Sequence, residues 1–137
     1  MILRPQKPII YIVDDNIVSE FATKIVLDQA SILCEVFSFD TAESALESLS
    51  EALDSGQEVP NIILLDLKMP GMDGWDFLAK LDNMAAQIDN LAIYTVSNFT
   101  NAADRQRANE HPFVKGYVER PLTLIEIEKI LSVQQYS

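Results

Sequence analysis

The chain alternates short apolar runs with segments in which apolar residues recur every three or four positions. The two purest runs are IIYIV at residues 9–13 and the four apolar residues IILL that follow Asn61 in the segment 61–65. A short apolar run without alternation predicts a strand that is buried on both faces, as in a parallel sheet. Three further runs predict strands at 34–39, 91–96 and 114–118, and partial alternation in the first of these favours an edge strand.

Apolar residues at helical spacing predict one helix after each strand. The fourth predicted helix, 101–110, has mostly alanine on its inner face, so we expect it to bury little area and to be weakly held. The apolar positions that define the five helices are, in chain order, Ile17, Phe21, Ala22 and Ile25; Ala42, Ala45, Leu46, Leu49 and Leu53; Trp75, Leu78 and Leu81; Ala102, Ala103 and Ala108; and Leu124, Ile127, Ile130 and Leu131.

Capping residues predict where several of these helices begin and end. Asp40, with an acidic residue three positions later, is predicted to cap the second helix, and Asp73 the third. Thr123 and Glu126 form a capping box for the last helix. The turn-forming residues at 54–57 are expected to end the second helix.

The alternation of five strands with five helices predicts an α/β fold made of βαβ units around a parallel sheet. Right-handed crossovers then give a doubly wound sheet with helices on both faces. We predict the flavodoxin-like strand order 2-1-3-4-5. No repeat, low-complexity tract or linker is present in the sequence, so a single domain over 1–137 is expected, with its core at about 8–135.

Composition restricts the partners and the compartment. A net charge of −11 makes nucleic acid and anionic membranes poor partners for this chain alone. The single Cys34 excludes an internal disulfide and suits a reducing compartment. No segment approaches the ~20 apolar residues that span a bilayer, and the first residues are too short an apolar segment for a signal peptide. A cytoplasmic protein is the expectation.

Polar residues follow the predicted strands at the edge where ligands bind in such sheets. Asp14 and Asp15 follow the first strand, Asp66 the third, Ser97 the fourth and Arg120 the fifth. Because the first and third strands are predicted neighbours, the three carboxylates should converge and raise one another's pKa unless a cation is present. Mg²⁺, held by few protein ligands together with phosphate oxygens, is the predicted cofactor.

A carboxylate can attack phosphorus and form an aspartyl-phosphate. Phosphoryl transfer needs mainly positioning and charge neutralisation, which the metal, Ser97 and Arg120 would supply. Asp66 is the predicted nucleophile because it ends the central strand. An aspartate after a strand is often only a turn or cap residue, so the hypothesis depends on the complete set of residues at the strand ends.

Four motifs closely resemble those of the receiver domain of two-component response regulators, of the single-domain, chemotaxis-regulator type. They are IVDDN at 12–16, LLDLKMPGMDG at 64–74, VS at 96–97 and GYVERP at 116–121, so the resemblance covers essentially the whole chain. The Asp-Asp pair combined with the longer motif around Asp66 is highly specific. The resemblance implies the same five-stranded fold.

The resemblance also implies a role for each matching residue. Asp66 would accept a phosphoryl group from a histidine kinase or a phosphotransfer protein. The implied Mg²⁺ ligands are Asp15, Asp66 and the backbone carbonyl of Lys68, with Asp14 acting through water. Ser97 would follow the phosphoryl group on activation, and Tyr117 would turn inward as the switch aromatic.

Two positions depart from the family pattern. The family normally has Lys-Pro after the last strand, whereas this chain has Arg120-Pro121. A guanidinium is planar and prefers two-pronged contacts, so we expect either a different approach to Asp66 or a pairing with Glu119, and altered coupling of phosphate to the output. Asn98 replaces the commoner alanine, and the expected consequence is either narrower access to Asp66 or altered dephosphorylation.

The resulting expectation is a phosphorylation switch with no enzymatic activity beyond its own phosphorylation and dephosphorylation. Its output would be a protein–protein contact with a downstream target, or a homodimer, through the fourth helix, last strand and last helix. Two alternatives stay open. One is a degenerate receiver that acts as a phosphorylation-independent interaction module. The other is a phosphatase with an aspartate nucleophile, a class that typically has a second acid where this chain has Lys68.

Overall fold

Within the part of the chain that the structure describes, five parallel strands and five α-helices alternate, as the hydrophobic pattern predicts. The computed structural model describes residues 7–88, 90–97 and 102–135. A short 3₁₀ helix, Asp82–Gln87, continues the third helix. The strands are β1 (Ile9–Val13), β2 (Glu35–Phe39), β3 (Ile62–Asp66), β4 (Ala92–Ser97) and β5 (Val114–Glu119), and the helices are α1 (Ile17–Gln29), α2 (Ala42–Ser55), α3 (Gly74–Leu81), α4 (Ala102–Asn109) and α5 (Leu124–Gln135).

The strand order is β2-β1-β3-β4-β5, and each neighbouring pair is parallel. The predicted fold class and order are therefore confirmed. β1 and β3 lie at the centre and are buried at every residue, which explains why their sequences do not alternate. β2 is one of the two edge strands, and none of its residues is fully buried.

Two apolar cores lie on opposite faces of the sheet, because successive strand residues point to opposite sides. One core joins β1 and β3 to α2 and α3 and includes the buried Ala108 of α4. The other joins the opposite faces of the same strands to α1 and α5. Because all five strands run parallel, the carboxyl ends of β1, β3 and β5 lie at one edge of the sheet.

Most predicted helix ends are confirmed, but the cap of α2 is not. Asp73 caps α3 in a capping box with Asp76, Thr123 and Glu126 exchange their predicted bonds, and α2 ends at Gly56 in a left-handed conformation. The prediction that Asp40 caps α2 is wrong. Since α2 begins at Ala42, the position before it is occupied by Thr41, and the Ser44 N–H donates to the Thr41 side chain at 3.1 Å.

Burial differs from the predicted inner faces in three helices. Ile17, Phe21 and Ile25 of α1 are 78%, 64% and 44% exposed, because α1 packs through Thr23 and Leu27 instead. In α4 only Ala108 of the three predicted alanines is buried, while Ala102 and Ala103 are exposed. In α5 Leu124 is exposed, whereas its predicted partners Ile127, Ile130 and Leu131 are buried.

The length and polarity of the helices decide whether one of them could span a membrane. Within the described ranges, every helix is either too short or too polar to cross a bilayer.

Candidate functional site

Three aspartates meet at the carboxyl edge of the sheet because β1 and β3 are hydrogen-bonded neighbours, with Val13 opposite Leu65. Each of Asp14, Asp15 and Asp66 offers a carboxylate oxygen, and these oxygens all lie within 4.8 Å of one another. We call these three residues the acidic pocket. Asp14 and Asp66 are buried and Asp15 is exposed, so the pocket opens to solvent on the Asp15 side.

Backbone amides fix the orientation of the two buried carboxylates. The Asn16 N–H donates to Asp14 Oδ1 at 2.9 Å, and the Lys68 N–H donates to Asp66 Oδ1 at 3.0 Å. Each is a local bond to an amide two residues further along, the pattern that aspartates form in turns after a strand. One oxygen of each carboxylate is thereby occupied, and Oδ2 of each is left for other partners.

Arg120 supplies the partner of both remaining oxygens. Its Nη2 lies 3.0 Å from Asp14 Oδ2 and 2.9 Å from Asp66 Oδ2. The side chain is largely buried, and its Nε is a buried atom without a hydrogen-bond partner among the described residues. Of the two arrangements expected for Arg120, the side chain adopts the approach to Asp66, and it contacts Asp14 as well.

The environment of Asp66 makes the charged form of its carboxyl less favourable than it is in water. Burial is the main cause that raises the pKa of the Asp66 carboxyl above its usual value, and the charge of Asp14 raises it further. The hydrogen bonds from Arg120 and from the Lys68 N–H lower this pKa but do not cancel the effect of burial. Asp66 is therefore a carboxylate that gains from an additional nearby cation.

The remaining predicted site residues are described only in part. Ser97 ends β4, one residue beyond the register pair of Asp66 and Val96, but its side chain lies outside the described part of the chain. Asn98 and the first residue of the predicted fourth helix, Asn101, also lie outside the described residues. The metal-ligand role of the Lys68 carbonyl stays a prediction.

Tyr117 lies on β5 opposite Thr95 of β4. Its side chain is 40% exposed, so the ring points outward in this structure. The inward turn of Tyr117 that the resemblance implies on activation stays a prediction.

An exposed apolar patch on α1, formed by Ile17, Val18, Phe21 and Ile25, escaped the sequence prediction. Val18 also lines a surface cleft with Arg120 and Leu122, so the patch adjoins the acidic pocket. The helix carries a second apolar row, which includes Leu27 and packs against the sheet. A helix with apolar residues on two sides can bury only one of them, and this was the available signal in the sequence.

Residues 10–132 match the model of the response regulator receiver domain. The chain belongs to this family. Receiver domains are the phosphorelay components of two-component signalling, and the predicted family is thus confirmed.

Curated relatives agree with this assignment. The chain is 32% identical over 80 residues to the sensor histidine kinase CheAY of Helicobacter pylori, a match that covers 58% of this chain and 10% of that protein. It is 33% identical over 89 residues to the nitrate/nitrite response regulator protein NarL of Escherichia coli, covering 65% of this chain and 38% of that protein. The match therefore spans well under half the length of these relatives.

Solved structures show the same fold. A two-component response regulator from Cytophaga hutchinsonii has a TM-score of 0.83 at 20% identity, covering 97% of this chain and 100% of that one. A two-component response regulator from Legionella pneumophila has a TM-score of 0.80 at 23% identity, covering 96% of this chain and 100% of that one.

The acidic pocket fits a hard divalent cation. Carboxylate oxygens are the ligands that Mg²⁺ prefers, and it usually keeps several waters beside one or two protein carboxylates. The exposed Asp15 and the solvent-facing side of the pocket leave room for such waters. The guanidinium of Arg120, however, already contacts Oδ2 of both buried aspartates.

Proposed function

We propose that this receiver domain is a phosphorylation switch in which Asp66 accepts a phosphoryl group from a histidine kinase or a phosphotransfer protein. The observation that carries the proposal is the placement of Asp66. It is buried at the end of the central strand, with Oδ1 held by the Lys68 N–H and Oδ2 facing the positive charge of Arg120.

The chemistry requires a nucleophilic oxygen and compensation of the charge on the phosphoryl group. A carboxylate oxygen of Asp66 forms a new bond to phosphorus, while the bond from phosphorus to the donor's imidazole nitrogen breaks and the imidazole leaves. Since such transfers depend on positioning and electrostatics, the amide that fixes Asp66 and the guanidinium beside it are suitable groups. Arg120 can then donate to a phosphoryl oxygen instead of Asp66 Oδ2.

Mg²⁺ is the proposed cofactor. Asp15, Asp66 and the Lys68 carbonyl would hold it directly and Asp14 through water. When bound, the ion neutralises charge on the phosphoryl oxygens. Arg120 and Ser97 would supply the remaining contacts.

The α1 apolar patch is the proposed contact for the phosphodonor. It is exposed and adjoins the acidic pocket through Val18, so a partner seated on it could bring a phosphohistidine to Asp66. The downstream target, or a second copy of the chain, would bind the face made by α4, β5 and α5. In this proposal the domain has no substrate other than its own aspartate, and it works in the cytoplasm.

The test is incubation with acetyl phosphate and Mg²⁺, read by intact mass and by borohydride reduction of the acyl phosphate followed by peptide mapping. We expect one added phosphoryl group, located at Asp66, and none in Asp66→Asn. Asp54→Asn, which alters an exposed aspartate of α2, is the matched control and should be modified like the wild type. An undiminished mass increment in Asp66→Asn would rule out the assignment.

The same experiment addresses the two alternatives. A degenerate receiver would show no increment under any of these conditions, and the presence of Asp66 in a complete acidic pocket gives that alternative no support. A phosphatase would release inorganic phosphate from p-nitrophenyl phosphate over many turnovers, whereas a receiver should not.

A further inference from the structure

α4 is held to the rest of the domain by little apolar contact. Among its residues only Ala108 is buried, and the helix is otherwise polar, with Ala102 and Ala103 exposed. Since burial of a single alanine contributes little to stability, other contacts must set the position of this helix.

Two arginines of α4 lie over aromatic rings on neighbouring elements. The guanidinium carbon of Arg105 is 4.9 Å from the ring centroid of Tyr117 on β5. That of Arg107 is 4.0 Å from the ring centroid of Trp75 on α3. Residues two apart on a helix point to different sides. Arg105 therefore contacts β5 on one side of α4, and Arg107 contacts α3 on the other.

The contact of Arg105 bears directly on the orientation of Tyr117. The ring is 40% exposed and lies beneath the guanidinium. Tyr117 sits opposite the buried Thr95 in register, so both side chains project to the face that α4 covers. If the ring turned inward toward Thr95, it would leave the guanidinium and the cation–π contact would be lost.

We propose that Arg105 is a latch that holds Tyr117 in the outward position, and that Arg107 on Trp75 anchors the same helix from its other side. The inference rests on the proposed function insofar as Tyr117 is the aromatic that responds to phosphorylation. Arg105 is a positioning residue in this scheme: it sets the fraction of molecules with Tyr117 outward, while Asp66 carries the chemistry.

The size of the effect follows from the exposure of the site. Cation–π contacts at exposed positions shift an equilibrium by about two- to fivefold. Removal of the Arg105 guanidinium should therefore raise the ratio of inward to outward Tyr117 by about that factor. Removal of the Arg107 guanidinium should loosen α4 from α3 but leave the Tyr117 ratio nearly unchanged.

The experiment compares the wild type with Arg105→Met and Arg107→Met, both of which keep a long apolar stem. Each protein is labelled with 3-fluorotyrosine, and the Tyr117 signal is assigned with Tyr117→Phe. The readouts are the ¹⁹F shift of Tyr117, its H₂O/D₂O isotope shift as a measure of exposure, and the fluorescence of Trp75, the single tryptophan of the chain.

We expect Arg105→Met to move the Tyr117 signal toward a less exposed position. Arg107→Met should change Trp75 emission alone. A Tyr117 signal that is the same in Arg105→Met as in the wild type would overturn the latch. Arg105→Lys serves as a second variant in case Arg105→Met unfolds, and it should give a smaller shift in the same direction, since an ammonium stacks less well than a guanidinium.

The measurement is made without metal or phosphodonor, so failures of the two proposals are distinguishable. A second arm adds acetyl phosphate and Mg²⁺ and follows the added mass. If no phosphoryl group is added to any variant, the proposed function fails while the latch result stands. If phosphorylation occurs but Tyr117 is indifferent to Arg105 in both arms, the latch alone fails.

Discussion

Arg120 and Asp66 form an ion pair at 2.9 Å through the same Nη2 atom that contacts Asp14 at 3.0 Å. One nitrogen thus bridges the two buried carboxylates of the acidic pocket. The guanidinium of Arg120 therefore already neutralises the carboxylate oxygens that a divalent cation in the acidic pocket would bind. The departure from the family's usual lysine has a direct structural consequence, which the first prediction tests.

Arg120 should compete with Mg²⁺. Replacement by methionine removes the guanidinium and frees Oδ2 of both buried aspartates, so we expect the Mg²⁺ affinity to rise by about tenfold, the size of one charge-assisted hydrogen bond. The Mg²⁺ affinity of Arg120→Lys should lie between those of the wild type and Arg120→Met, because an ammonium is compact and need not bridge both carboxylates. Calorimetric Mg²⁺ titration measures the affinity, and equal dissociation constants in all three proteins would contradict the competition.

The pKa of Asp66 predicts a pH-dependent stability. Because its folded-state pKa is raised above the unfolded value, which is about 3.9, the folded protein holds this proton more tightly. The resulting stabilisation is present below the unfolded pKa and is lost as the pH rises through the raised folded pKa. Asn does not ionise, so the melting temperature of metal-free Asp66→Asn should exceed that of the wild type increasingly as the pH rises through this window.

Melting curves recorded at a series of pH values without Mg²⁺ give this comparison. A difference in melting temperature that stays constant from acid to neutral pH would show that Asp66 does not titrate in this way. Addition of Mg²⁺ at neutral pH should stabilise the wild type more than Asp66→Asn, because the variant has lost a charged ligand.

Gly74 should tolerate no side chain. A Cβ at this position would lie 2.6 Å from Leu67 Cα and 2.7 Å from the carbonyl oxygen of Asp66, and both are backbone atoms that cannot rotate away. Gly74→Ala should therefore lower the free energy of unfolding by about 1–3 kcal/mol and slow phosphorylation by acetyl phosphate, since the backbone after Asp66 must shift.

Gly116→Ala is the matched control for this change. The nearest atom to its added Cβ belongs to the Tyr94 ring at 3.5 Å, an ordinary contact distance. We expect the unfolding free energy of this variant to stay within about 0.5 kcal/mol of the wild type. Denaturant titrations compare the two variants, and equal losses in both would mean that the close approach of α3 to β3 is not the cause.

The α1 apolar patch should affect the rate of phosphoryl transfer from a protein donor but not the rate with a small-molecule donor such as acetyl phosphate. Phe21 is 64% exposed, so Phe21→Ser should leave stability nearly unchanged but remove apolar contact with a docked partner. We expect the rate of phosphoryl transfer from a phosphohistidine protein that phosphorylates the wild type to fall by about tenfold, as for an interface hot spot. The rate with acetyl phosphate should not change.

Phe37→Ser tests whether position matters in addition to apolar character. Phe37 is also exposed, at 46%, but lies on the edge strand β2. Its replacement should affect neither rate. A docking role for α1 would be contradicted if Phe21→Ser and Phe37→Ser slowed transfer from the protein donor equally. It would also be contradicted if Phe21→Ser slowed phosphorylation by acetyl phosphate.

The sequence alone determined the strands, their order and the aspartates at one edge. Fully apolar runs form buried central strands whatever surrounds them, and the crossover rule then leaves few topologies. Asp14, Asp15 and Asp66 converge because parallel strands end at a common edge, which follows from strand order without any side-chain detail. Helix starts with a reciprocal cap, such as Thr123 with Glu126, were likewise predictable because the bonds are local.

Only the tertiary structure decided which side of α1 is buried, because Ile17, Phe21 and Ile25 are as apolar as the row that packs and the sheet can cover only one of them. It also decided that Arg120 bridges Asp14 and Asp66 and that Arg105 lies over Tyr117. The Arg120 contacts join residues far apart in the chain, and all of these contacts run through long, flexible arginine side chains. Their geometry depends on the packed positions of two or three elements at once, and no periodicity in the sequence encodes it.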